Sequence, residues 1–277
     1  MNATLSVYLI IMLGWLLPGT ISGQAIQVNI GVRDSLKSEI LQENRNVLIH
    51  LPRDYDSSTK SYPILYQLDG DEVLLFETVA VVNRLVQWEE RIPEVIVVAI
   101  ENTNRSRDMW PTNTKYNPKP NIAGSEAFLA FIEKELMPYI ENKYRINDER
   151  ILCGQSLSAL FTIYAFLAKP QLFDSYIASS GAFPDCEEYI KEFSHKSFQK
   201  MDLFNGQSLF ITNGLKDELD PDGRMNRGVI NFSNTLKEQL GNSVKYQYQT
   251  YENLGHVPFY SLYDGLKFVF ESNPVNK

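Results

Sequence analysis

The segment Ile151-Leu-Cys-Gly-Gln-Ser-Leu-Ser-Ala-Leu-Phe-Thr-Ile-Tyr-Ala-Phe166 decides how this chain is expected to fold. Apolar residues precede and follow the run Gly-Gln-Ser-Leu-Ser at 154–158, so the segment predicts a strand, a sharp turn and a helix, with Ser156 at the turn. A serine there is exposed above a sheet edge, and the helix N-terminus favours negative charge. Ser158 replaces the second glycine of a Gly-x-Ser-x-Gly pattern but is still small. We predict that Ser156 is a nucleophile; an ordinary helix N-cap is the alternative.

Strand-like and helix-like segments alternate on both sides of that turn. Residues 38–41 and 46–51 predict an antiparallel hairpin around 42–45. The later predicted strands are 62–68, 95–100, 150–153, 175–179, 208–212 and 245–251. The predicted helices are 73–88, 126–144, 157–168, 187–193, 225–240 and 259–270. This order predicts an α/β protein with a mostly parallel central sheet, an antiparallel N-terminal hairpin and helices on both faces.

The composition limits the classes of partner and cofactor. The chain has 277 residues and a formal net charge of -8, which argues against nucleic acid or an anionic membrane surface as partner. The sequence contains no glycine-rich phosphate loop and no zinc-ligand spacing, so we expect neither an organic cofactor nor a metal. Cys153 is the last residue of an apolar strand, and we expect it to be a buried thiol. A disulfide between Cys153 and Cys186 is the alternative.

The first 23 residues differ from the rest of the chain. Residues 5–17 are almost wholly apolar and are followed by helix-breaking and small residues. The run is short for a membrane span and is typical of a signal peptide, so we predict cleavage after Gly23 and a single domain over 24–277. The protein would then be secreted or periplasmic, without stable membrane insertion. No Lys or Arg precedes the apolar run, which leaves an uncleaved N-terminal anchor as the alternative.

A serine hydroxyl needs a base to take its proton, and histidine is the usual one. His256 lies between the last predicted strand and the last predicted helix, which makes it the candidate base. We expect His50 and His195 to be structural or solvated. The third member should be a carboxylate between serine and histidine in chain order. Asp217 follows the predicted strand 208–212 and is the first candidate, and Glu218 is the alternative.

Two further groups of residues are expected around the nucleophile. An oxyanion needs preorganised donors. The backbone N–H of Leu157 is one candidate, and the loop 69–72 offers those of Gly70 and Asp71. A cluster after the strand 95–100 could line a substrate pocket or form structural ion pairs instead: Arg105, Arg107 and Trp110.

Several separated motifs together resemble one known family. The segments 62–71, 92–100, 105–111, 131–139 and 154–157 are similar to those of the esterase D family. The resemblance implies an α/β-hydrolase fold and a serine carboxylic-ester hydrolase. It also implies a triad of Ser156, His256 and Asp217, the last at the family's Gly-x-x-Asp position.

The resemblance leaves the substrate open. The cluster at Arg105 and Asp108 is most similar to the siderophore-esterase branch, which implies a siderophore trilactone as substrate. The second candidate class of substrate is an acyl ester linked to a polysaccharide. The alternatives are an acyltransferase of the same fold and a catalytically silent binding protein.

Overall fold

The computed structural model describes residues 28–112, 123–181, 183 and 186–271. Their strands form one eight-stranded sheet in the order β1-β2-β4-β3-β5-β6-β7-β8. The strands are β1 (Val32–Ser38), β2 (Glu43–His50), β3 (Tyr62–Gln67), β4 (Ile96–Ile100), β5 (Ile146–Gln155), β6 (Ser175–Ser179), β7 (Ser208–Gly214) and β8 (Lys245–Tyr251). The pairs β1–β2 and β2–β4 are antiparallel, and the strands from β4 to β8 are parallel.

The helices cover both faces of this sheet. They are α1 (Glu72–Asn83), α2 (Arg105–Met109), α3 (Ser125–Phe131), α4 (Met137–Lys143), α5 (Leu157–Ala168), α6 (Glu187–Phe198), α7 (Arg224–Leu240) and α8 (Tyr260–Phe270). Residues of α1 and α8 share one core cluster, and residues of α3 to α7 share the other. Because both faces are covered, every residue of β3, β4, β6 and β7 is buried.

The observed architecture confirms the predicted α/β-hydrolase fold. The N-terminal hairpin differs from the prediction, because its strands are Val32–Ser38 and Glu43–His50 instead of 38–41 and 46–51. Residues 38–41 were expected to be a strand, but β1 ends at Ser38 and the chain turns over 39–42, where Gln42 has a φ of 54°. The reason is that β1 lies at the sheet edge, and its outward positions are polar and exposed. An edge strand of this kind lacks the apolar run that marks a central strand.

The topology brings the predicted catalytic residues to one edge. Ser156 follows β5, while Asp217 and His256 follow β7 and β8 at the carboxyl ends of parallel strands. That edge is where open α/β sheets bind their ligands. Within the described ranges, no helix is long and apolar enough to cross a membrane.

Candidate active site

Ser156 sits at a strained turn between β5 and α5. Its φ of 57° and ψ of -119° are rare for a residue with a side chain. The N–H of Ser156 donates to the carbonyl of Ser179 at 2.8 Å, which ties the turn to the neighbouring strand. A Cβ at Gly154 would lie 2.4 Å from the carbonyl oxygen of Ser158, so the close return of the helix requires glycine there. The predicted strand, turn and helix therefore have their expected geometry.

His256 contacts Asp217 rather than Glu218. The Nδ1 atom of His256 lies 2.6 Å from Oδ2 of Asp217. The other carboxylate oxygen of Asp217 accepts the N–H of Leu219 at 2.8 Å, which fixes the orientation of the carboxylate. Glu218 is exposed. An ionised carboxylate can only accept, so Nδ1 of His256 is the donor in this contact and Nε2 is the ring nitrogen left to act as a base.

The Nε2 atom of His256 is buried and makes no hydrogen bond to any described residue, Ser156 included. A buried nitrogen without a partner is unusual, since most buried polar atoms are hydrogen-bonded. Free enzymes often hold their catalytic hydrogen bonds loosely and tighten them when substrate binds. In the described part of the chain, no group therefore competes for Nε2 of His256, the atom that would take the serine proton.

Close backbone packing holds the loop that carries His256. A Cβ at Gly214 would lie 2.0 Å from the carbonyl oxygen of Gly255, so β7 and this loop touch where only glycine fits. The N–H of Lys216 donates to the carbonyl of Leu254 at 3.0 Å. The next residue after His256, Val257, has a φ of 55°. Its N–H donates to Oγ of Ser180 at 3.2 Å.

The expected oxyanion donors are only partly supported by the backbone. Leu157 is the first residue of α5, where N–H groups have no carbonyl partner within the helix. The Gly70 N–H is not available as the predicted donor, because it donates to the carbonyl of Ile100 at 2.8 Å. Gly70 is needed for close packing, since a Cβ there would lie 2.4 Å from the carbonyl carbon of Ala99. The N–H of Asp71 remains the predicted second donor.

Arg105 is the one predicted pocket residue that lies beside the nucleophile turn. Its guanidinium donates to both carboxylate oxygens of Asp69, at 2.7 and 2.8 Å, and Nη2 lies 3.4 Å from the carbonyl oxygen of Gln155. Burial raises the pKa of Asp69, but the hydrogen bonds and charge of Arg105 outweigh it and hold that pKa below its ordinary value. The side chain of Arg105 is 39% exposed, which leaves part of it open to a ligand.

Arg107 and Trp110 are directed elsewhere. Arg107 pairs with Glu43 at 2.7 Å and with Asp108 at 2.6 Å, so it forms the structural ion pair that was the alternative prediction. Trp110 is partly buried and packs against the core. Neither residue contacts the nucleophile turn among the hydrogen bonds and ion pairs of the described chain.

Arg45 is a structural residue that the sequence analysis missed. Its side chain has no exposed surface, and it donates to Asp108 at 2.7 Å and to the carbonyl of Glu101 at 3.0 Å. The guanidinium carbon lies 5.0 Å from the ring centroid of Phe128. The period of two along β2 places Arg45 on the same face as Val47, which is the sequence signal that could have revealed its burial.

The remaining histidines and cysteines lie outside the site. His50 is at the end of β2 with Nδ1 2.7 Å from the carbonyl oxygen of Ile30, and His195 is exposed in the last turn of α6. Both cysteines are buried, and no disulfide joins them. Burial raises the pKa of Cys153 to about 12, so its thiol stays protonated and unreactive near neutral pH.

A cavity is lined by Gln155 and Val257, the chain neighbours of the predicted nucleophile and base. It has a volume of about 260 Å³ and lies between α1, the segment 153–155 and the segment 257–262. Leu74, Thr78 and Phe259 contribute to its wall. Ligand pockets for drug-sized molecules are typically about 300–1,000 Å³, so this cavity can enclose one small group rather than a large ligand.

The chain matches a family model described as “Putative esterase” over residues 38–252, which include Ser156 and Asp217. The chain belongs to this esterase family. It is 35% identical over 136 residues to the ferri-bacillibactin esterase BesA of Bacillus subtilis, covering 43% of this chain and 47% of that protein. It is 29% identical over 144 residues to the siderophore enterobactin esterase of Emericella nidulans, covering 45% of this chain and 48% of that protein. The chain thus spans only about half the length of these two relatives, at 47% and 48%.

Solved structures agree with this family assignment. An IroE-like serine hydrolase from Shewanella oneidensis superposes with a TM-score of 0.78 and 28% identity, covering 87% of this chain and 80% of that one. The siderophore hydrolase EstA from Aspergillus nidulans has a TM-score of 0.75 and 20% identity, covering 91% of this chain and 99% of that one, and at this identity supports the fold alone. The predicted resemblance and the predicted class, an ester-hydrolase family, are confirmed.

Proposed function

We propose that this protein is a serine esterase that works through an acyl-enzyme on Ser156. The observation that carries the proposal is the pair of His256 and Asp217, 2.6 Å apart at the same sheet edge as the strained Ser156 turn. This combination of a strained serine, an oriented histidine and a mostly buried carboxylate is what nucleophilic acyl transfer needs.

In the proposed reaction, Oγ of Ser156 attacks the ester carbonyl while Nε2 of His256 takes its proton. Asp217 stabilises the imidazolium that forms. The carbonyl oxygen becomes an oxyanion, for which the N–H groups of Leu157 and Asp71 are the proposed donors. His256 then protonates the leaving alcohol, and water attacks the acyl-enzyme with His256 again as base. The products are a carboxylic acid, an alcohol and free enzyme.

The substrate class we propose is a siderophore ester. Two relatives are named for siderophore esters, and the 260 Å³ cavity beside Gln155 and Val257 would take one acyl or alcohol group while the bulk of a trilactone stays on the open surface. The partly exposed Arg105 offers a positive charge at the rim for an acidic ligand. Nothing in the site specifically favours a polysaccharide-linked ester.

Secretion belongs to the proposal as well. We propose that residues 1–23 act as a signal peptide and that the mature protein meets its substrate outside the cytoplasm. N-terminal sequencing of the protein recovered from culture medium or periplasm tests this. A recovered chain that still begins at Met1 would contradict it.

The decisive experiment compares Ser156→Ala with wild type on p-nitrophenyl acetate and on a catecholate trilactone. We expect kcat/KM to fall by at least about a thousandfold, because loss of the nucleophile removes the acyl-enzyme route. His256→Ala should fall similarly, and His195→Ala, which removes an exposed histidine, serves as its matched control. Undiminished turnover in Ser156→Ala would overturn the proposal.

The same samples distinguish the alternatives. Labelling of Ser156 by a fluorophosphonate probe is expected for an activated serine, and its absence would favour a silent binding protein. Adding alcohol acceptors and analysing the products separates a hydrolase from an acyltransferase, since both share the acyl-enzyme. We expect free acid as the main product.

A further inference from the structure

We infer that Ser158 and Asp69 form a positioning pair that holds the nucleophile turn against the loop of the proposed oxyanion donor. The inference rests on the proposed function and concerns two residues to which that function gives no role. Ser158 occupies the place where the Gly-x-Ser-x-Gly pattern has its second glycine. Small size alone would be met by glycine or alanine at this position, so the hydroxyl of Ser158 calls for a separate explanation.

The hydroxyl of Ser158 bridges two segments of backbone. Its Oγ accepts the N–H of Gln155 at 2.7 Å, and it lies 2.8 Å from Oδ2 of Asp69 and 2.8 Å from the carbonyl oxygen of Gln155. A hydroxyl has one hydrogen to donate, and a charged acceptor makes the stronger bond. The hydroxyl hydrogen is therefore expected to point at Asp69, while a lone pair of the same oxygen accepts the N–H of Gln155, the residue directly before Ser156.

Asp69 is a fixed anion at the other end of this bridge. Its carboxylate accepts from Arg105 twice, from Asn102 at 2.7 Å and from Ser158, and its side chain is 12% exposed. Its φ of 58° places it in the left-handed region, which a residue with a side chain adopts only when its surroundings hold it there. The carboxylate therefore fixes the backbone that leads directly into Gly70 and Asp71.

The pair links the two halves of the proposed oxyanion site. Gln155 precedes Ser156 and Leu157, and Asp69 precedes Asp71 by two positions. One carboxylate and one hydroxyl, 89 positions apart in the chain, thus set the distance between the two donors. A displacement of about 1 Å in a catalytic group can lower a rate a hundredfold, so this spacing matters to kcat more than to substrate binding.

Ser158→Ala tests the pair with little change in volume. We expect kcat for p-nitrophenyl acetate to fall about tenfold with KM within about twofold, since the lost bonds position groups that act in the transition state. Ser158→Gly, which restores the residue usual in the pattern, should lose as much. Thr162→Val is the matched control, because Thr162 is a buried hydroxyl on the same helix that donates to the carbonyl of Ser158 at 2.8 Å and does not reach Asp69. It should keep the wild-type kcat.

A double-mutant cycle tests whether the two residues act together. If they do, Ser158→Ala combined with Asp69→Asn should lose clearly less than the product of the two single losses. Independent, multiplicative losses would overturn the pair. Thermal unfolding of all four proteins shows whether a variant has lost its fold, and Ser158→Ala alone still decides the question if Asp69→Asn does not fold.

The rate of Ser156 labelling by a fluorophosphonate separates failure of this inference from failure of the proposed function. Wild type that is labelled quickly, with Ser158→Ala labelled equally fast and unchanged in kcat, would overturn the positioning pair and leave the esterase intact. Wild type that is neither labelled nor active would overturn both. Slower labelling of Ser158→Ala, with Thr162→Val unchanged, is the expected result.

Discussion

Helix α2 contributes to two clusters of polar and charged side chains that differ in their degree of burial. The Asp69 cluster consists of Asp69, Asn102, Arg105 and Ser158, and the Arg45 cluster consists of Glu43, Arg45, Arg107 and Asp108. In the Asp69 cluster the arginine is 39% exposed, whereas Arg45 and Asp108 in the other have no exposed side-chain surface. Arg105 and Arg107 are two positions apart on the helix and so point to different sides.

The difference in burial indicates that the Arg45 cluster stabilises the fold, whereas the Asp69 cluster positions the nucleophile turn. The Arg45 cluster ties the start of β2 to α2 inside the protein, with Arg45 also stacked near Phe128. The Asp69 cluster ties the loops after β3 and β4 to α2 and to the first turn of α5, at the sheet edge that carries Ser156. We therefore expect damage to the first cluster to appear in stability and damage to the second to appear in catalysis.

The largest effect is expected from Asp108→Ala. This change removes the fully buried carboxylate from Arg45 and leaves it only the partly exposed Glu43, at 2.9 Å. Breaking a buried ion pair costs about 3–5 kcal/mol. Urea unfolding followed by circular dichroism measures the loss. A loss as small as that of an exposed ion pair would contradict the anchoring role.

A smaller effect, on rate, is expected from Arg105→Ala. Without the guanidinium, burial is left to raise the pKa of Asp69, and the positioning carboxylate loses its strongest partner. We expect kcat to fall about tenfold, equivalent to about 1.4 kcal/mol in the barrier. Arg107→Ala is the matched control, since it should lower stability and leave kcat unchanged. The comparison fails if Arg107→Ala lowers kcat as much as Arg105→Ala does.

The smallest effect concerns acid stability at Glu43. Hydrogen bonds from Arg107, partly opposed by burial, lower the pKa of Glu43 from its ordinary 4.5 to about 2. A lowered pKa means that the unfolded chain binds the proton more readily, so this stabilisation is complete above pH 4.5 and is lost as pH falls toward 2. Glu43→Gln should flatten the pH dependence of Tm in that window. Identical profiles for Glu43→Gln and wild type would contradict the assignment.

Local sequence patterns were enough to predict the strands that carry the site and the order of its candidate catalytic residues. The apolar runs at β4 and β6 and the chain order of Ser156, Asp217 and His256 each depend on a few neighbouring residues, and the structure brings Asp217 and His256 into contact. Glycines 154 and 214 could likewise be noticed from sequence, although the atoms they make room for could not.

Contacts between distant residues were beyond the reach of sequence patterns. Ser158 meets Asp69 across 89 positions, and Arg45 meets Asp108 across 63. The role of Gly70 was misjudged for the same reason, because Ala99, which crowds it, is 29 positions away in the chain. Which carboxylate faces His256 also required the fold, since Asp217 and Glu218 are adjacent in sequence.

The backbone at the carboxyl edge of the sheet has a consequence for how this protein can be improved. Of the six non-glycine residues with positive φ in the described part of the chain, four follow sheet strands at this edge: Asp69, Ser156, Ser180 and Val257. A branched residue such as Val257 is poorly suited to that conformation, and glycine would relieve it. Directed evolution for heat resistance alone would therefore favour substitutions at these four positions. Such a selection would trade catalytic rate for robustness, and a screen for both properties should hold all four residues constant.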